Sequence, residues 1–347
     1  MAQEEIDRLI NVSLHIAVTG RTGAGKSTFI NAFRGLKKGE KGAAKTGGTE
    51  TTTESTPYEH PTMPNVTLWD LPGVGSPNFK SETYVKKMHF EKYDFFFIIS
   101  SERFTENDLM LAKEIQKRKK KFYFIRSKID QEEEKEEEEA LSKIRIDCRK
   151  NLKELGTPHV FLISSKDLSE FDFEELVSTL DADLPAHKHC ALLQSVPVTS
   201  VAMLEKKISM FKKLIWAAAI ASGGIAAAPV PGLSFACDTA MVMSFFTRCY
   251  HAFGLDDGSL EKLSARVNKP ELKNLEKAPL LKELAASSAI RMGGSAAGEF
   301  LCSLIPVAGN AAAATISFTM TRAILQNGLE VLADEARKVL KEAGLEK

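Results

Sequence analysis

Residues 14–33 constrain what this chain can fold into more than any other stretch. An apolar, β-rich run, Leu14 to Val18, leads into Gly20-Arg21-Thr22-Gly23-Ala24-Gly25-Lys26-Ser27, and a helical pattern follows from Thr28 to Phe33. This is a complete G-x-x-x-x-G-K-S string in the strand–loop–helix setting that gives the string its meaning. The glycines let backbone N–H groups wrap a β-phosphate, Lys26 reaches the β- and γ-phosphates, and the Ser27 hydroxyl is a ligand for Mg²⁺. The helix that opens near Thr28 adds its positive end to the same phosphate-binding segment. A glycine-rich turn matching by accident would not carry these flanks. The string therefore demands an α/β unit in which a buried strand delivers a loop to a phosphate.

The rest of the first half supplies that unit. Val66 to Trp69, Phe95 to Ile99, Phe122 to Ile125 and Val160 to Ile163 are short, β-rich and bounded by polar residues, as buried parallel strands are. Thr51 to Tyr58 is more polar and reads as an edge strand. Strands separated by helical patterns predict a doubly wound, mostly parallel sheet of the Ras-like P-loop type. A chain of 347 residues is long enough for a second domain. The sheet pattern stops between Asp181 and Pro197, and the reading divides the chain into a short N-terminal helix (1–13), the α/β domain (14–185) and an all-α helical domain (186–347). In the last of these, Val201, Leu204, Ile208, Phe211 and Ile215 recur at helical spacing with Lys206, Lys207, Lys212 and Lys213 around them. Leu325, Leu329, Leu332, Ala336, Val339 and Ala343 repeat the pattern, with Asp334 one turn before Lys338.

Three further segments name the ligand. Asp70-Leu71-Pro72-Gly73 follows a strand, where the Asp70 carboxylate can hold the Mg²⁺ shell through water and the Gly73 N–H can sense a γ-phosphate. Ser127-Lys128-Ile129-Asp130 follows another. Asp130 can accept two hydrogen bonds from the N1–H and exocyclic amine of guanine, which adenine cannot supply, while the Lys128 stem covers the base. The nucleotide is thus GTP or GDP. Ser127 stands where this motif usually carries Asn or Thr, a departure expected to loosen the loop packing. Ser164-Ser165-Lys166, after the last strand, is placed to finish the base pocket through backbone N–H groups.

Between the phosphate loop and Asp70 lies a threonine-rich switch segment, Lys45 to Thr53, in which Thr46 or Thr52 is the candidate to complete the Mg²⁺ shell. After Gly73 come Val74 and Gly75, where Ras-like GTPases carry a glutamine that orients water. Glu50 is the nearest plausible base, or a partner molecule donates the group. Lys26, Thr46 and Glu50 are the candidates for the chemistry, and the expectation is slow hydrolysis by the monomer with faster turnover on self-association.

Charge and composition exclude other classes. Lys plus Arg and Asp plus Glu are 46 each, so the chain lacks the positive surplus of a general nucleic-acid binder. Residues 186–347 nevertheless hold 18 basic and 14 acidic residues against 28 and 32 before them, which leans the second half toward anionic lipid. The start, Met-Ala-Gln-Glu-Glu-Ile, has neither a signal-peptide pattern nor the glycine that myristoylation requires, so a cytoplasmic protein is expected. Five scattered cysteines read as reduced thiols. Leu214 to Cys237 and Phe300 to Thr321 reach bilayer-spanning length, but Pro229, Pro231 and Gly232 in one and Pro306 and Gly309 in the other split each into two helical arms. Those arms read as a close-packed core at rest, with lipid engagement after a conformational change as the functional alternative. His187, His189 and Cys190 read as linker rather than metal site, and the glutamates of 132–139 as an exposed insert.

With these motifs the chain resembles the immunity-related GTPases, the interferon-inducible family. Beyond the GKS loop, the resemblance is carried by Gly42-Ala-Ala-Lys-Thr-Gly, Thr56-Pro-Tyr-Glu-His-Pro, Asn65-Val, Trp69-Asp-Leu-Pro-Gly-Val-Gly, Tyr93-Asp-Phe-Phe-Phe-Ile-Ile-Ser and Phe122-Tyr-Phe-Ile-Arg, several of which have no generic GTPase meaning. It is close through the first half and one of layout through the second. The resemblance implies Mg²⁺-dependent hydrolysis of GTP and GTP-dependent self-association, as a homodimer or higher oligomer, through the GTPase domain. It also implies association with related GTPases and peripheral action on membranes enclosing intracellular pathogens. It carries over Lys26 for phosphate, Ser27 for magnesium, Thr46 for the switch, Glu50 for assisting hydrolysis, Asp70 for the magnesium shell and Asp130 for the base. Family members often have a longer N-terminal helical extension than the 19 residues before Gly20 here. The competing reading is a membrane scaffold for which GTP is only a conformational lock.

Overall fold

The computed structural model describes residues 12–47, 54–73, 81–132, 138–156, 158–226, 233–275, 277, 279–284, 286–288, 290 and 308–345. The first compact unit, Ser13–Val196, runs β1 (Leu14–Gly20), α1 (Lys26–Phe33), β2 (Thr56–Glu59), β3 (Val66–Asp70), α2 (Ser81–Lys87), β4 (Phe95–Ser100), α3 (Glu106–Lys117), β5 (Lys121–Ser127), α4 (Glu138–Asn151), β6 (Val160–Ile163), α5 (Phe173–Asp183) and α6 (Ala186–Ser195). The strands form one sheet in the order β2-β3-β1-β4-β5-β6. Neighbours are parallel except β2, a four-residue antiparallel edge on β3, so the polar edge strand expected from Thr51 to Tyr58 begins at Thr56, with 51–53 outside the described residues.

The reason for a two-faced sheet is written in β4. Its six residues are all buried, and successive side chains point to opposite faces. Phe95 and Phe97 pack against Tyr123, with Phe97 also meeting Phe29 and Phe33 of α1, while Phe96 meets Phe90 and Tyr93 on the other side. A capping box starts α3, in which the Thr105 side chain and the Asp108 carboxylate each satisfy the other's backbone N–H. Register brings the functional ends together: Val18 sits opposite Asp70 and Gly20 opposite Ile99, so β1, β3 and β4 end at one level, where the chain order reverses across β1.

Helix α6, which the sequence reading assigns to the second half, packs against β1 and β3, and its Lys188 pairs with Asp94. The boundary therefore lies at Val196/Pro197, eleven residues beyond the proline expected to mark it. His189 is on this helix and not in a linker; its Nε2 lies 2.7 Å from the Leu184 carbonyl oxygen and its Nδ1 3.4 Å from Asp181. Among the described residues no group of three His, Cys, Asp or Glu could hold a metal ion.

From Pro197 the chain forms α7 (Val201–Ala226), α8 (Leu233–Ala252), α9 (Asp257–Val267) and α10 (Ala308–Ala343). The apolar stripe of α10 is buried from Leu325 to Ala343, and α10 packs along α7 and α8, with Arg337 paired to Glu205 and Lys212 to Glu330. Lys207 corrects an expectation: it is 0% exposed, not one of the solvated lysines of α7. It lies three residues after Leu204 and four before Phe211, hence on the buried face. Residues 227–232 and 291–307, which carry the expected helix-splitting prolines, lie outside the described residues, and among the described residues no helix is long and apolar enough to cross a membrane.

Candidate nucleotide site

The phosphate loop connects β1 to α1. Gly20 is the point of closest packing: at φ 138° a Cβ there would lie 2.0 Å from the Ile99 carbonyl oxygen, so only glycine lets the loop turn over the end of β4. Lys26 is buried, and its Nζ donates to the Gly20 and Arg21 carbonyl oxygens, both at 3.1 Å. The ammonium is thereby held within the curl of its own loop. Ala24 is buried, its N–H closing the turn on the Arg21 carbonyl, while Arg21, Thr22, Gly23 and Thr28 are exposed around the mouth. Gly25, in the left-handed region, opens α1. Gly73 lies against this loop, where a Cβ would meet Thr22 Oγ1 at 2.4 Å. The hydroxyl of Tyr84, a half-buried residue of α2, donates to the Pro72 carbonyl at 2.8 Å and holds this approach from behind.

Beside the loop, Ser27 Oγ donates to Asp70 Oδ2 at 2.8 Å. Asp70 is 1% exposed, and burial raises its pKa, opposed by the Ser27 hydrogen bond and the Lys26 charge. Among the described residues, the other carboxylate oxygen, Oδ1, is buried with no hydrogen-bond partner, and so is Thr46 Oγ1. Buried oxygens without donors are costly unless something is to pair with them. The donor set of hydroxyl, hydroxyl and carboxylate suits a hard divalent cation such as Mg²⁺, so Ser27, Thr46 and Asp70 fit the metal that the motifs imply. Glu50 and Thr52 lie outside the described residues.

Two residues that place Thr46 carry no motif. Asn31 makes a two-point contact with Ala44, donating to its carbonyl at 2.9 Å and accepting from its N–H at 2.6 Å. Arg34 donates to the Gly42 carbonyl and twice to the Glu59 carbonyl, with its guanidinium over the Tyr58 ring. Together they bind the residues just before the switch segment to α1 and β2. Their partners are 8 to 25 residues away, which is why a local pattern does not show them.

At the base end, Ser127 overturns the expectation of a loosened loop. Its hydroxyl is buried and donates to the Ala24 carbonyl at 2.6 Å, with the Ser100 carbonyl at 3.3 Å, tying β5 to the phosphate loop and to β4. A hydroxyl is sufficient because the two acceptors lie directly beside it. The Lys128 stem passes close to Gly25. Asp130 is engaged by Ser164, whose Oγ donates to Oδ1 at 3.1 Å, and by Lys166, whose Nζ is 2.6 Å from Oδ2. Burial alone would raise the Asp130 pKa, but Lys166 and Ser164 bring it below the ordinary carboxylate value. The Lys166 N–H, expected to face the base, donates to Ser164 Oγ at 3.2 Å, and Ser165 between them is half-buried.

The loop from Gly20 to Ser27, the Ser27–Asp70 pair and the Asp130 carboxylate thus stand along one edge of a single sheet. Residues 1–343 match the family described as Interferon-inducible GTPase (IIGP). The chain belongs to the interferon-inducible GTPase family. It is 39% identical over 345 residues to interferon-inducible GTPase 5 of Rattus norvegicus, which covers 94% of this chain and 74% of the relative. To interferon-gamma-inducible GTPase 10 of Mus musculus it is 44% identical over 285 residues, covering 77% and 67%. Among solved structures it is similar to a tyrosine-to-alanine variant of Aquifex aeolicus Era bound to GDP and aluminium fluoride, at 21% identity and TM-score 0.37 over 49% of this chain and 56% of that one. The family is one of GTPases, and hydrolysis of GTP is the chemistry this site serves.

Proposed function

We propose that this chain binds GTP with Mg²⁺ on the Gly20–Thr28 segment, reads the guanine through Asp130, and hydrolyses GTP to GDP and phosphate. The cycle is accelerated by self-association through the GTPase unit and acts at intracellular membranes in cell-autonomous immunity. The observation that carries the site assignment is the pair of buried, partnerless oxygens, Asp70 Oδ1 and Thr46 Oγ1, beside the Ser27–Asp70 hydrogen bond. Bound Mg²⁺ supplies positive charge to the β- and γ-phosphate oxygens. Ser27, Asp70 and a switch threonine, Thr46 or Thr52, would hold it, and Thr46 presents a buried hydroxyl with no partner among the described residues.

Lys26 exchanges the Gly20 and Arg21 carbonyls for phosphate oxygens, a gain because an ammonium pairs more strongly with an anion than with a neutral carbonyl. The Gly73 N–H, backed by the Tyr84 contact at Pro72, is the sensor of the terminal phosphate. Residues 74 and 75 offer no side chain able to orient water, so that role falls to Glu50 or to a group donated across an assembly. This is the support for assembly-dependent turnover. The membrane role rests on family membership and on the small basic surplus of residues 186–347.

Phosphate release under multiple turnover, measured over a range of protein concentrations, tests the cycle. The rate per molecule should rise with concentration, require Mg²⁺ and be lost with ATP in place of GTP. A rate per molecule independent of concentration would remove the self-association step, and release that stops after one event would leave a nucleotide lock. Flotation of anionic liposomes with and without a non-hydrolysable GTP analogue tests the membrane role, which fails if no nucleotide-dependent binding is seen.

A further inference from the structure

Guanine recognition does not account for every contact at the base end. The Asp130 side chain is 10% exposed and approached at both oxygens, Oδ1 by the Ser164 hydroxyl and Oδ2 by the Lys166 ammonium. The two contacts differ in kind. Ser164 makes an aligned hydrogen bond, whereas Oδ2 has no aligned hydrogen bond and Lys166 meets it as an ion pair at 2.6 Å. The Lys166 side chain is 70% exposed, so little holds it in that position besides the charge. Its main chain is fixed independently, through the N–H to Ser164 Oγ, and β5 and β6 are paired as far as Ser127 and Ile163, which sets the two loops side by side.

We propose that the Lys166 ammonium is a specificity-determining competitor for Asp130. It covers Oδ2 when the pocket is empty, yields to the exocyclic amine of guanine, and stays in place when the base lacks that amine. The proposal rests on the guanine reading of Asp130. Guanine brings two N–H donors, one for each carboxylate oxygen, and the displaced ammonium swings into water. Hypoxanthine brings only N1–H. One buried carboxylate oxygen would then lack a donor, a large penalty unless a cation remains beside it. Lys166 removes that penalty. It therefore weakens GDP binding slightly, supports IDP binding, and narrows the discrimination between them.

The test uses the full chain with Mg²⁺, displacing a fluorescent GDP analogue with GDP, IDP or ADP from wild type, Lys166→Ala and Lys166→Arg. The ratio of the IDP to the GDP dissociation constant should be about threefold to fivefold larger in Lys166→Ala than in wild type, the size of one partly exposed ion pair. Lys166→Arg, which keeps the cation, should stay close to wild type. An unchanged ratio in Lys166→Ala, with both affinities moving together, overturns the proposal and leaves Lys166 as a loop-packing residue. Should ADP displace the analogue from wild type as well as GDP does, the guanine reading itself fails and the proposal with it.

Discussion

Both units bury polar groups, and they do so in different ways. In the sheet unit, Lys26, Asp70, Ser127 and Asp130 are 10% exposed or less at the side chain or residue, and each points along the edge where β1, β3 and β5 end. Where one of their atoms lacks a hydrogen-bond partner, as at Asp70 Oδ1, the place is one where a ligand would supply it. In the helical unit, Lys207 is buried on the apolar face of α7, and burial brings its pKa down to about 7. The first arrangement converts desolvation into binding. The second makes the fold's stability depend on pH.

Substitutions at four residues break or sharpen this contrast. Lys26→Ala should lower GTP and GDP affinity about 100-fold, since it removes a charge-assisted contact to phosphate, the ammonium being held in the free protein by neutral loop carbonyls that include Gly20 and Arg21. Titration calorimetry measures it, and retained affinity would mean that the buried lysine is structural, like Lys207.

Asp70→Asn should separate stability from function in opposite directions. Because burial raises the Asp70 pKa, the metal-free fold is favoured by protonation, and this contribution is lost as pH rises through the raised value. The asparagine variant should therefore melt about 2–4 °C higher in EDTA, while binding GTP about tenfold more weakly with Mg²⁺ present. A lower melting temperature would show that the carboxylate serves the fold.

Lys207→Met tests the other unit. Between the native value of about 7 and the ordinary 10.5, the unfolded chain binds more protons than the folded one, so stability should rise with pH across that window. Chemical denaturation at pH 7 and pH 9 should show this slope in wild type and a reduced slope in the methionine variant. Nucleotide affinity should not change. Ser127→Ala, the smallest effect, should cost about fivefold in GDP affinity by freeing the phosphate loop from β5, and Ser127→Thr should restore it.

The legible part of this molecule was the part built from contiguous residues. Gly20 to Ser27, Asp70 to Gly73 and Ser127 to Asp130 each announce their chemistry within a few positions, and the buried strands are visible as uninterrupted apolar runs such as Phe95 to Ile99. What escaped notice acts across distance. Asn31 and Arg34 read as ordinary helix residues until their contacts with Ala44, Gly42 and Glu59 are seen, and Ser127 read as a weakened motif until Ala24 was found beside it. Lys207 stands among other lysines in the sequence, but its spacing from Leu204 and Phe211 puts it on the apolar face, where it is buried. Helix α6 was assigned to the wrong half because a proline marks where a helix can begin, not which core it joins.

Sequence alone determined the fold class and the GTPase family and nominated the phosphate and base residues, because backbone-wrapped phosphate sites and two-sided strands impose local patterns that few residue types satisfy. Tertiary structure decided which loops are tied to the phosphate segment, that Ser27 pairs with Asp70, and that Asp130 already has an ionic partner in Lys166. Those are properties of pairs brought together from loops after different strands of one sheet, and the energy of a buried pair depends on the distance and solvent access between its members, neither of which is encoded at a single position.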